Sequence, residues 1–206
     1  NIDFAQMGLV AKRDGVHETN RQERFLQIPM ETKRGQVLKY LESIPEGVQL
    51  TDVQYGRVAG DIQQPVFGVL ATDAQFAEID RALQAKGLQA RDVTNHADVR
   101  FRMISYDRER LKHPVFFVIE FPERPGAFSE FMRVVGQYAH LCYFNYRYSG
   151  EYVGRALVGL EFETVEDRDT CREKAMQLLG TTIQGLHELP DEVRHRVLDR
   201  MSPLDK

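Results

Sequence analysis

An internal repeat spans most of this 206-residue chain and limits what it can fold into. Three pairs of residues recur at one constant offset of 91 positions: Gly35 with Gly126, Tyr55 with Tyr146, and Gly68 with Gly159. Gly87 and Gly180 lie 93 positions apart, which places a two-residue insertion in or near the second helix of the unit. A unit of about 90 residues is too long for a solenoid and has the length of one small α+β domain. We therefore predict a duplicated domain.

The second copy gives the order of elements within the unit. A β-branched and aromatic run at 113–121 predicts a strand that ends at a turn, and apolar residues at helical spacing in 128–135 predict a helix. The pattern continues with strands at 141–148 and 153–162, a helix at 171–179 and a final strand at 182–186. The order βαββαβ is that of a ferredoxin-like α+β fold. The first copy repeats the strand, polar turn and helix in RFLQIPMETKRGQVLKYLESI.

The repeat divides the chain into four parts. We predict a first copy at 20–94, a connector at 95–112, and a second copy at 113–206 that includes a C-terminal helix; residues 1–19 fall outside the repeat. The connector is charged and carries one weak helical stripe, formed by Val99, Met103 and Tyr106. It is therefore predicted to be a linker or a short helix.

Each copy needs a cover for one face of its sheet. In a βαββαβ unit both helices pack on the same face, and the other face is left bare by its own chain. Along 115–121, however, apolar side chains alternate toward both faces, as in a strand that is buried on both sides. We expect the two copies, or two chains, to pack sheet against sheet or edge to edge.

Composition excludes several classes of partner. The chain has 27 Lys and Arg against 31 Asp and Glu, a net charge of −4 that argues against a nucleic acid or a membrane surface. No apolar run approaches the roughly 18 residues that a membrane span needs. Cys142 and Cys171 show neither CxxC spacing nor a disulfide framework. A reducing, cytoplasmic setting is expected.

The sequence offers no catalytic constellation and no metal-binding motif. His187 and His195 stand among carboxylates, but their spacing is not that of a zincin, and a solvated helix is expected to spread these groups apart. The chain has no Gly-x-Ser-x-Gly, GxGxxG or P-loop motif. We therefore predict that the chain has no catalytic residues and is not an enzyme by itself.

Several stretches resemble one known family. FVIEFPERPGAFSEF at 117–131 is followed by Phe-Asn-Tyr-Arg at 144–147, and Gly154 and Arg155 then open the next strand. The tail HELPDEVRHRVL at 187–198 and the opening NIDFAQMGLVAKR are also similar to segments of that family. Together they resemble the C-terminal regulatory region, with two ACT-like subdomains, of biosynthetic threonine ammonia-lyase, also called threonine dehydratase. The resemblance covers essentially the whole chain.

The resemblance implies a role in feedback control. In this family isoleucine inhibits and valine counteracts, through a regulatory region attached to a tetrameric enzyme of isoleucine biosynthesis. The opening segment resembles the end of the family's catalytic domain, so the chain is expected to be a fragment whose partner is the catalytic domain of the same polypeptide. The family's cofactor lysine and glycine-rich phosphate loop have no counterpart here. Pyridoxal phosphate is expected in that catalytic domain and not in this chain, which is expected to form a homodimer or tetramer.

When the family's motif is matched residue by residue, Tyr146 and Arg147 stand at its effector-linked Tyr-Arg pair. Tyr55 stands at the corresponding tyrosine of the first copy. The first copy departs from this pattern, because Gly56 occupies the place of the arginine and Arg57 comes one residue later. Adjacent strand residues point to opposite faces, so Arg57 is not assumed to replace the missing side chain. The first site is therefore weakened, altered or lost.

The loop at 124–127 has the chemistry that a free amino acid requires. It opens a helix whose N–H groups and dipole favour a carboxylate, Pro125 presets the helical turn, and Gly126 admits close approach of a ligand. Glu123 or Asn145 could receive the ammonium group. The predicted effector-binding residues are Arg124, Gly126, Ala127, Asn145, Tyr146 and Arg147, together with Gly35 and Tyr55 in the first copy.

Simpler interpretations stay open at this point. The Pro-Gly step can be only a tight turn, the two tyrosines can pack an interface between subdomains, and Arg147 can be a solvated charge. An alternative to the sensing role is a structural oligomerisation module whose ligand sites have degenerated, and an unrecognised small enzyme is a third hypothesis.

Overall fold

A computed structural model describes residues 20–45, 47–107, 110–122, 124, 126–190 and 192–193. The predictions made for 1–19, for Glu123 and Pro125, and for most of the C-terminal helix lie outside the described residues. Among the described residues, no helix is both long and apolar enough to cross a membrane.

The first copy contains a complete βαββαβ unit. Its elements are β1 (Gln22–Gln27), α1 (Gln36–Leu41), β3 (Gln49–Gly56), β5 (Val66–Ala71), α2 (Asp73–Ala85) and β6 (Arg91–Asp92). Two short strands, β2 (Met30–Glu31) and β4 (Ile62–Gln63), pair with each other outside the main sheet. The side chain of Thr72 begins α2 with a capping box, in which it accepts a hydrogen bond from the backbone N–H of Gln75.

The second copy repeats the unit after a short connecting helix, α3 (Ala97–Arg100). Its elements are β7 (Val115–Pro122), α4 (Ala127–Val135), β8 (His140–Arg147), β9 (Val153–Glu161), α5 (Val165–Met176) and β10 (Gly185–Glu188). Both first helices begin after a glycine in the left-handed region, Gly35 with φ 79° and Gly126 with φ 84°. This backbone conformation suits glycine and explains why the repeat keeps it at both positions.

All eight main strands form one antiparallel sheet in the order β10-β7-β9-β8-β3-β5-β1-β6. Within each copy the spatial order is fourth, first, third and second strand, which confirms the predicted tandem ferredoxin-like, ACT-like fold. The copies meet through β3 and β8. Of the two arrangements expected from the sequence, the structure therefore has the edge-to-edge one.

The register of this central pair matches the repeat. Gln54 lies opposite Asn145, and these two residues are also equivalent under the offset of 91. On either side, Val53 faces Tyr146 and Tyr55 faces Phe144. A pseudo-twofold axis therefore passes between Gln54 and Asn145, and it relates each main strand of one copy to a main strand of the other.

One face of the sheet is covered by helices from both copies. Val115, Phe117, Ile119 and Phe121 of β7 join the main core on this face, as the alternating pattern predicts. Phe131 of α4 is fully buried there, and burial of a side chain of this size contributes about 1.5–3 kcal/mol. Because α4 also packs against α1, the core is continuous across the seam between the copies.

The connector covers the other face, called here the back face. Its Tyr106 is 4% exposed and packs edge-on against Phe116 and Tyr143, with ring centroids 6.2 and 6.0 Å away. The predicted stripe of Val99, Met103 and Tyr106 is wrong as a helical face, because α3 ends at Arg100 and Arg102 turns the chain with φ 55°. Val99 is buried, whereas Met103 is exposed.

The course of the connector explains the departure of the first copy from the family pattern. The Ser105 carbonyl oxygen passes so close to Gly56 that any Cβ at this position would collide with it. Asp107 N–H donates to the Arg57 carbonyl oxygen at 2.8 Å and fixes the same crossing. The equivalent position in the second copy, Arg147, is exposed and can carry a long side chain.

Some predicted boundaries need correction. The last strand is Gly185–Glu188 rather than 182–186, and His187 therefore lies in a strand and not in a helix. The helix predicted at 171–179 spans Val165–Met176, because Thr164 caps it earlier and the chain turns back after it. In that turn the N–H of Ile183 donates to the Leu178 carbonyl oxygen at 3.1 Å.

The close approach at Gly56 predicts the effect of adding one methyl group. Gly56→Ala should lower the free energy of unfolding by about 1–3 kcal/mol, because the connector has to shift away from the sheet. Arg147→Ala, at the equivalent exposed position, should change it by less than about 0.5 kcal/mol. Urea unfolding of both variants measures this, and an unchanged midpoint for Gly56→Ala would contradict the packing described.

Candidate functional site

The pseudo-twofold axis creates two equivalent clefts on the helix-covered face, one on each side of the seam. Each cleft has two sides, one from each copy. One side is the loop before the first helix of one copy. The other side is formed by the end of the first helix and the start of the second strand of the other copy. The cleft at the second copy's loop, called here the open cleft, has a volume of about 590 Å³. Its equivalent, called here the closed cleft, has about 40 Å³.

Residues that line the two clefts correspond through the same offset of 91. In the open cleft they include Arg124, Gly126, Ala127, Phe128, Ser129 and Tyr146 from the second copy, and Leu41, Ile44, Val48, Gln49 and Leu50 from the first. In the closed cleft they include Lys33, Gly35, Gln36, Val37, Leu38 and Tyr55 from the first copy, and Met132, Ala139, His140 and Leu141 from the second. The two sites thus differ in side chains rather than in architecture.

Arg34 closes the cleft at the loop of the first copy, which is the closed cleft. Its guanidinium reaches across the seam and donates to the Gln137 carbonyl oxygen at 3.0 Å and to His140 Nε2 at 3.3 Å. It also approaches the Asp167 carboxylate at 3.4 Å. Position 125 of the second copy, which corresponds to Arg34, is a proline and has no such side chain.

The contact with Arg34 requires an unprotonated Nε2 on His140. Burial and the neighbouring positive charge of Arg34 both lower the pKa of this imidazole, with burial the larger effect, although Glu161 and Glu163 act in the opposite direction. The neutral ring can accept a hydrogen bond from the guanidinium, whereas the imidazolium cannot. The closed cleft is thus held by a contact between the two copies.

The open cleft has an aromatic floor. Phe128 and Phe144 stack with centroids 4.2 Å apart, and Tyr146 lies beside Phe121 at 6.2 Å. Leu41 and Val48 from the first copy are buried and add aliphatic surface on the other side. A pocket of this size and character falls within the range of about 300–1,000 Å³ that small-molecule sites occupy.

Polar groups gather at one end of the open cleft, where α4 begins. No described side chain caps this helix, in contrast to α2 and α5, which are capped by Thr72 and Thr164. Arg124 lies at the same end and binds the Glu130 carboxylate at 2.6 and 2.8 Å. Hydrogen bonding to Arg124 lowers the pKa of Glu130. A helix start and an arginine together favour a carboxylate ligand.

The structure brings together only some of the residues predicted from the sequence. Arg124, Gly126, Ala127 and Tyr146 line the open cleft, whereas Gly35 and Tyr55 line the closed one. Arg147 and Asn145 lie on the back face, because neighbouring residues of β8 point to opposite sides of the sheet.

The wall that the first copy contributes was missed by sequence reasoning. Val48 and Leu50 lie far from the loop in sequence and carry no motif, so only the pairing of β3 with β8 brings them there. The repeat indicates this wall only in part. Two equivalent copies that meet at a shared seam must each present the same surface there, but the repeat does not say which surface that is.

Two buried ion pairs hold the seam on the back face. Arg57 of the first copy binds Glu161 of the second, and Arg102 of the connector binds both the Asp52 carboxylate and the Asn145 side-chain oxygen. Arg102 also donates to the Tyr146 carbonyl oxygen at 3.1 Å. Burial raises the pKa of Asp52, and the positive charge of Arg102 opposes that shift. Such pairs fix one geometry, since separating them leaves a buried charge alone.

Removal of one partner should show how strongly the seam depends on this contact. Arg57→Met leaves the Glu161 carboxylate buried at 4% exposure without its cation, and should cost about 3–5 kcal/mol of unfolding free energy. The double variant Arg57→Met with Glu161→Leu should recover most of that loss. Arg155→Met, which breaks an exposed pair with Glu120, should cost less than about 1 kcal/mol. Equal costs for Arg57→Met and Arg155→Met in denaturant unfolding would refute the proposed importance of the buried pair.

Residues 108–195 match the family described as the C-terminal regulatory domain of Threonine dehydratase. L-threonine dehydratase biosynthetic IlvA of Pasteurella multocida is 28% identical over 197 residues, which are 92% of this chain and 37% of that protein. Its counterpart in Haemophilus influenzae is 29% identical over 178 residues, or 82% of this chain and 33% of the relative. The chain thus spans about a third of the length of these relatives.

Among solved structures, aspartate kinase from Synechocystis overlaps 82% of this chain and 44% of its own. The TM-score is 0.31 and 8% of residues are identical, a likeness too weak to support a functional comparison.

The duplicated βαββαβ fold defines the chain as a tandem ferredoxin-like, ACT-like protein, and residues 108–195 match the regulatory-domain family. More specifically, it is related to the C-terminal regulatory region of biosynthetic threonine dehydratases, which confirms the resemblance predicted from the sequence.

Proposed function

We propose that this chain is the allosteric module of a threonine dehydratase and that it binds a branched-chain amino acid in the open cleft. Isoleucine would act as inhibitor and valine as its antagonist. The observation that carries the proposal is the cleft itself, which combines apolar walls from both copies with an uncapped helix start and Arg124. Catalysis would belong to a pyridoxal-phosphate domain of the same polypeptide, in a cytoplasmic homodimer or tetramer.

The chemistry of an amino acid fits the two ends of the cleft. Its carboxylate would lie at the start of α4, near Gly126 and Arg124, where the helix dipole and a guanidinium stabilise negative charge. Its aliphatic side chain would pack on the Phe128 and Phe144 rings. The Gln49 side chain, on the wall from the first copy, offers an acceptor for the ammonium group.

Because both copies line the open cleft, a ligand there would stabilise one relative position of the two copies over others. A ligand shifts such an equilibrium only by its difference in affinity for the two states. Isoleucine and valine differ by one methylene, which is worth about 1–3 kcal/mol in an apolar pocket. Opposite effects of the two amino acids therefore require that they favour different positions of the seam.

The closed cleft should hold no effector. Its volume of about 40 Å³ is far below the roughly 300 Å³ at which small-molecule sites begin, and Arg34 bridges it to the other copy. The proposal thus assigns one effector to each chain. This asymmetry supports a sensing role over a purely structural module, because one of the two equivalent clefts is open.

Calorimetric titration with isoleucine should give one binding event per chain. Ser129→Leu should weaken binding at least tenfold, because it introduces into the open cleft the leucine that the closed cleft carries at the equivalent position, Leu38. Ser129→Ala, which adds no volume, should bind like the original chain.

Two results would contradict this proposal. Absence of heat and of any thermal shift with isoleucine, valine and leucine at millimolar concentration would favour the structural module. Two equivalent ligands per chain would show that Arg34 does not close the first cleft.

A further inference from the structure

The imidazole of His140 lies between charged groups of opposite sign. Its Nε2 accepts a hydrogen bond from Arg34 Nε at 3.3 Å, one of the contacts that hold the closed cleft. The Oε1 atom of Glu163 is 3.9 Å from the same nitrogen. Glu161 stands directly opposite His140 in the pairing of β8 with β9, so both side chains project from the same face of the sheet. His140 therefore has a cation on one partner and carboxylates on the others.

Glu161 has an acceptor that no described residue uses. One of its carboxylate oxygens binds Arg57, but the other, Oε2, is buried and accepts no hydrogen bond from any residue that the structure describes. The side chain is only 4% exposed, and a buried oxygen without a donor is costly. A proton on His140 would supply a donor beside it, because an imidazolium donates from both of its nitrogens.

The charged groups around His140 come from every element that packs near it. They are Arg34 before α1, Arg57 after β3, Lys112 before β7, Glu161 and Glu163 at the end of β9, and Asp167 in α5. Burial has the largest effect and lowers the pKa of the imidazole, the two arginines lower it further, and the two glutamates raise it. The neutral ring that Arg34 requires is thus the favoured form at neutral pH.

The equivalent positions in the open cleft do not titrate. Under the offset of 91, His140 corresponds to Gln49 and Arg34 to Pro125. Gln49 lines the open cleft and carries no charge at any pH. A change of pH that acts through this contact would therefore alter one cleft and leave its equivalent unchanged.

We propose that His140 is a proton-operated latch on the closed cleft. When the ring takes up a proton, Nε2 can no longer accept a hydrogen bond from Arg34, and the imidazolium turns to the carboxylates of Glu161 and Glu163. Arg34 keeps its other contacts but then faces a like charge, so that the seam loosens at this cleft. The latch goes beyond the function proposed for the open cleft and requires no ligand.

The direction of the pH dependence follows from the lowered pKa. The folded chain binds this proton less readily than the unfolded chain does, because the pKa of His140 is lower in the folded state. The stabilisation that the latch gives to the seam is complete above the ordinary histidine pKa of about 6.5. It is lost as the pH falls through the lowered pKa of His140.

An NMR titration of the unliganded chain from about pH 8 to pH 5 covers this range. The Arg34 Nε–H signal and the backbone amide of Gly35 should shift with the same midpoint as the His140 ring protons. Exchange of the Arg34 Nε–H with water should become about tenfold faster or more beyond the dependence on pH of an exposed arginine, since the contact that protects it opens. Ala127 and Ser129 in the open cleft should not follow this midpoint.

The chain itself supplies a matched control variant. His140→Gln places in the closed cleft the residue that the open cleft carries as Gln49, whose amide oxygen can accept from Arg34 at every pH. The shifts of Arg34 and Gly35 over this range should disappear. Arg34→Met should raise the midpoint of His140, because a cation is removed, and Glu163→Gln should lower it.

Three results would overturn the latch. His140 could titrate while the signals of Arg34 and Gly35 stay constant, or it could fail to titrate above the pH at which the chain unfolds. The shifts of Arg34 and Gly35 could also persist in His140→Gln. The titration of the original chain decides the first two without any variant, and none of the three bears on whether isoleucine binds in the open cleft.

Discussion

The antiparallel pairing of β3 with β8 is the interaction on which the rest of the structure depends. It joins two four-stranded sheets into one and places equivalent residues, Gln54 and Asn145, opposite each other. The clefts on the helix-covered face exist only because this pairing brings the loop of one copy against the other copy. It also creates a wide back face, which the connector has to cover for the strands to be buried on both sides.

Once the backbone is symmetric, function depends on where the side chains break that symmetry. Arg34 closes one cleft, whereas the equivalent position in the second copy is a proline, whose side chain carries no charge. On the back face a single connector serves two equivalent positions, and its Tyr106 can fill only one of them. The same connector carries Arg102, whose guanidinium contacts the carbonyl oxygen of Tyr146, a residue whose side chain lines the open cleft. The two faces of the seam are thus physically connected.

Much of this architecture could be predicted from the sequence. The constant offset of 91 gave the duplication, and the alternating apolar pattern of β7 correctly placed Val115 and Phe117 on one face and Phe116 on the other. The same alternation puts Tyr146 and Arg147 on opposite faces, so that the Tyr-Arg pair divides between the open cleft and the back face.

The course of the connector and the closure of one cleft depend on long-range contacts, which leave no pattern in the local sequence. The connector is polar in sequence, and its course over Gly56 follows from the fit of Tyr106 into a pocket formed by distant strands. Closure of the first cleft by Arg34 rests on partners more than 100 residues away. A turn residue in a short basic loop gives no sign of such a partner, because the reach of a side chain across the seam depends on tertiary structure.

The central claim is that one cleft of a duplicated pair binds the effector. A crystal structure of the chain grown with isoleucine tests it most directly. We expect density for one amino acid between Gly126 and the Val48–Leu50 wall, with Arg34 still bridging to Gln137. Density in the closed cleft, or an open cleft that stays empty while isoleucine binds elsewhere, would contradict the account.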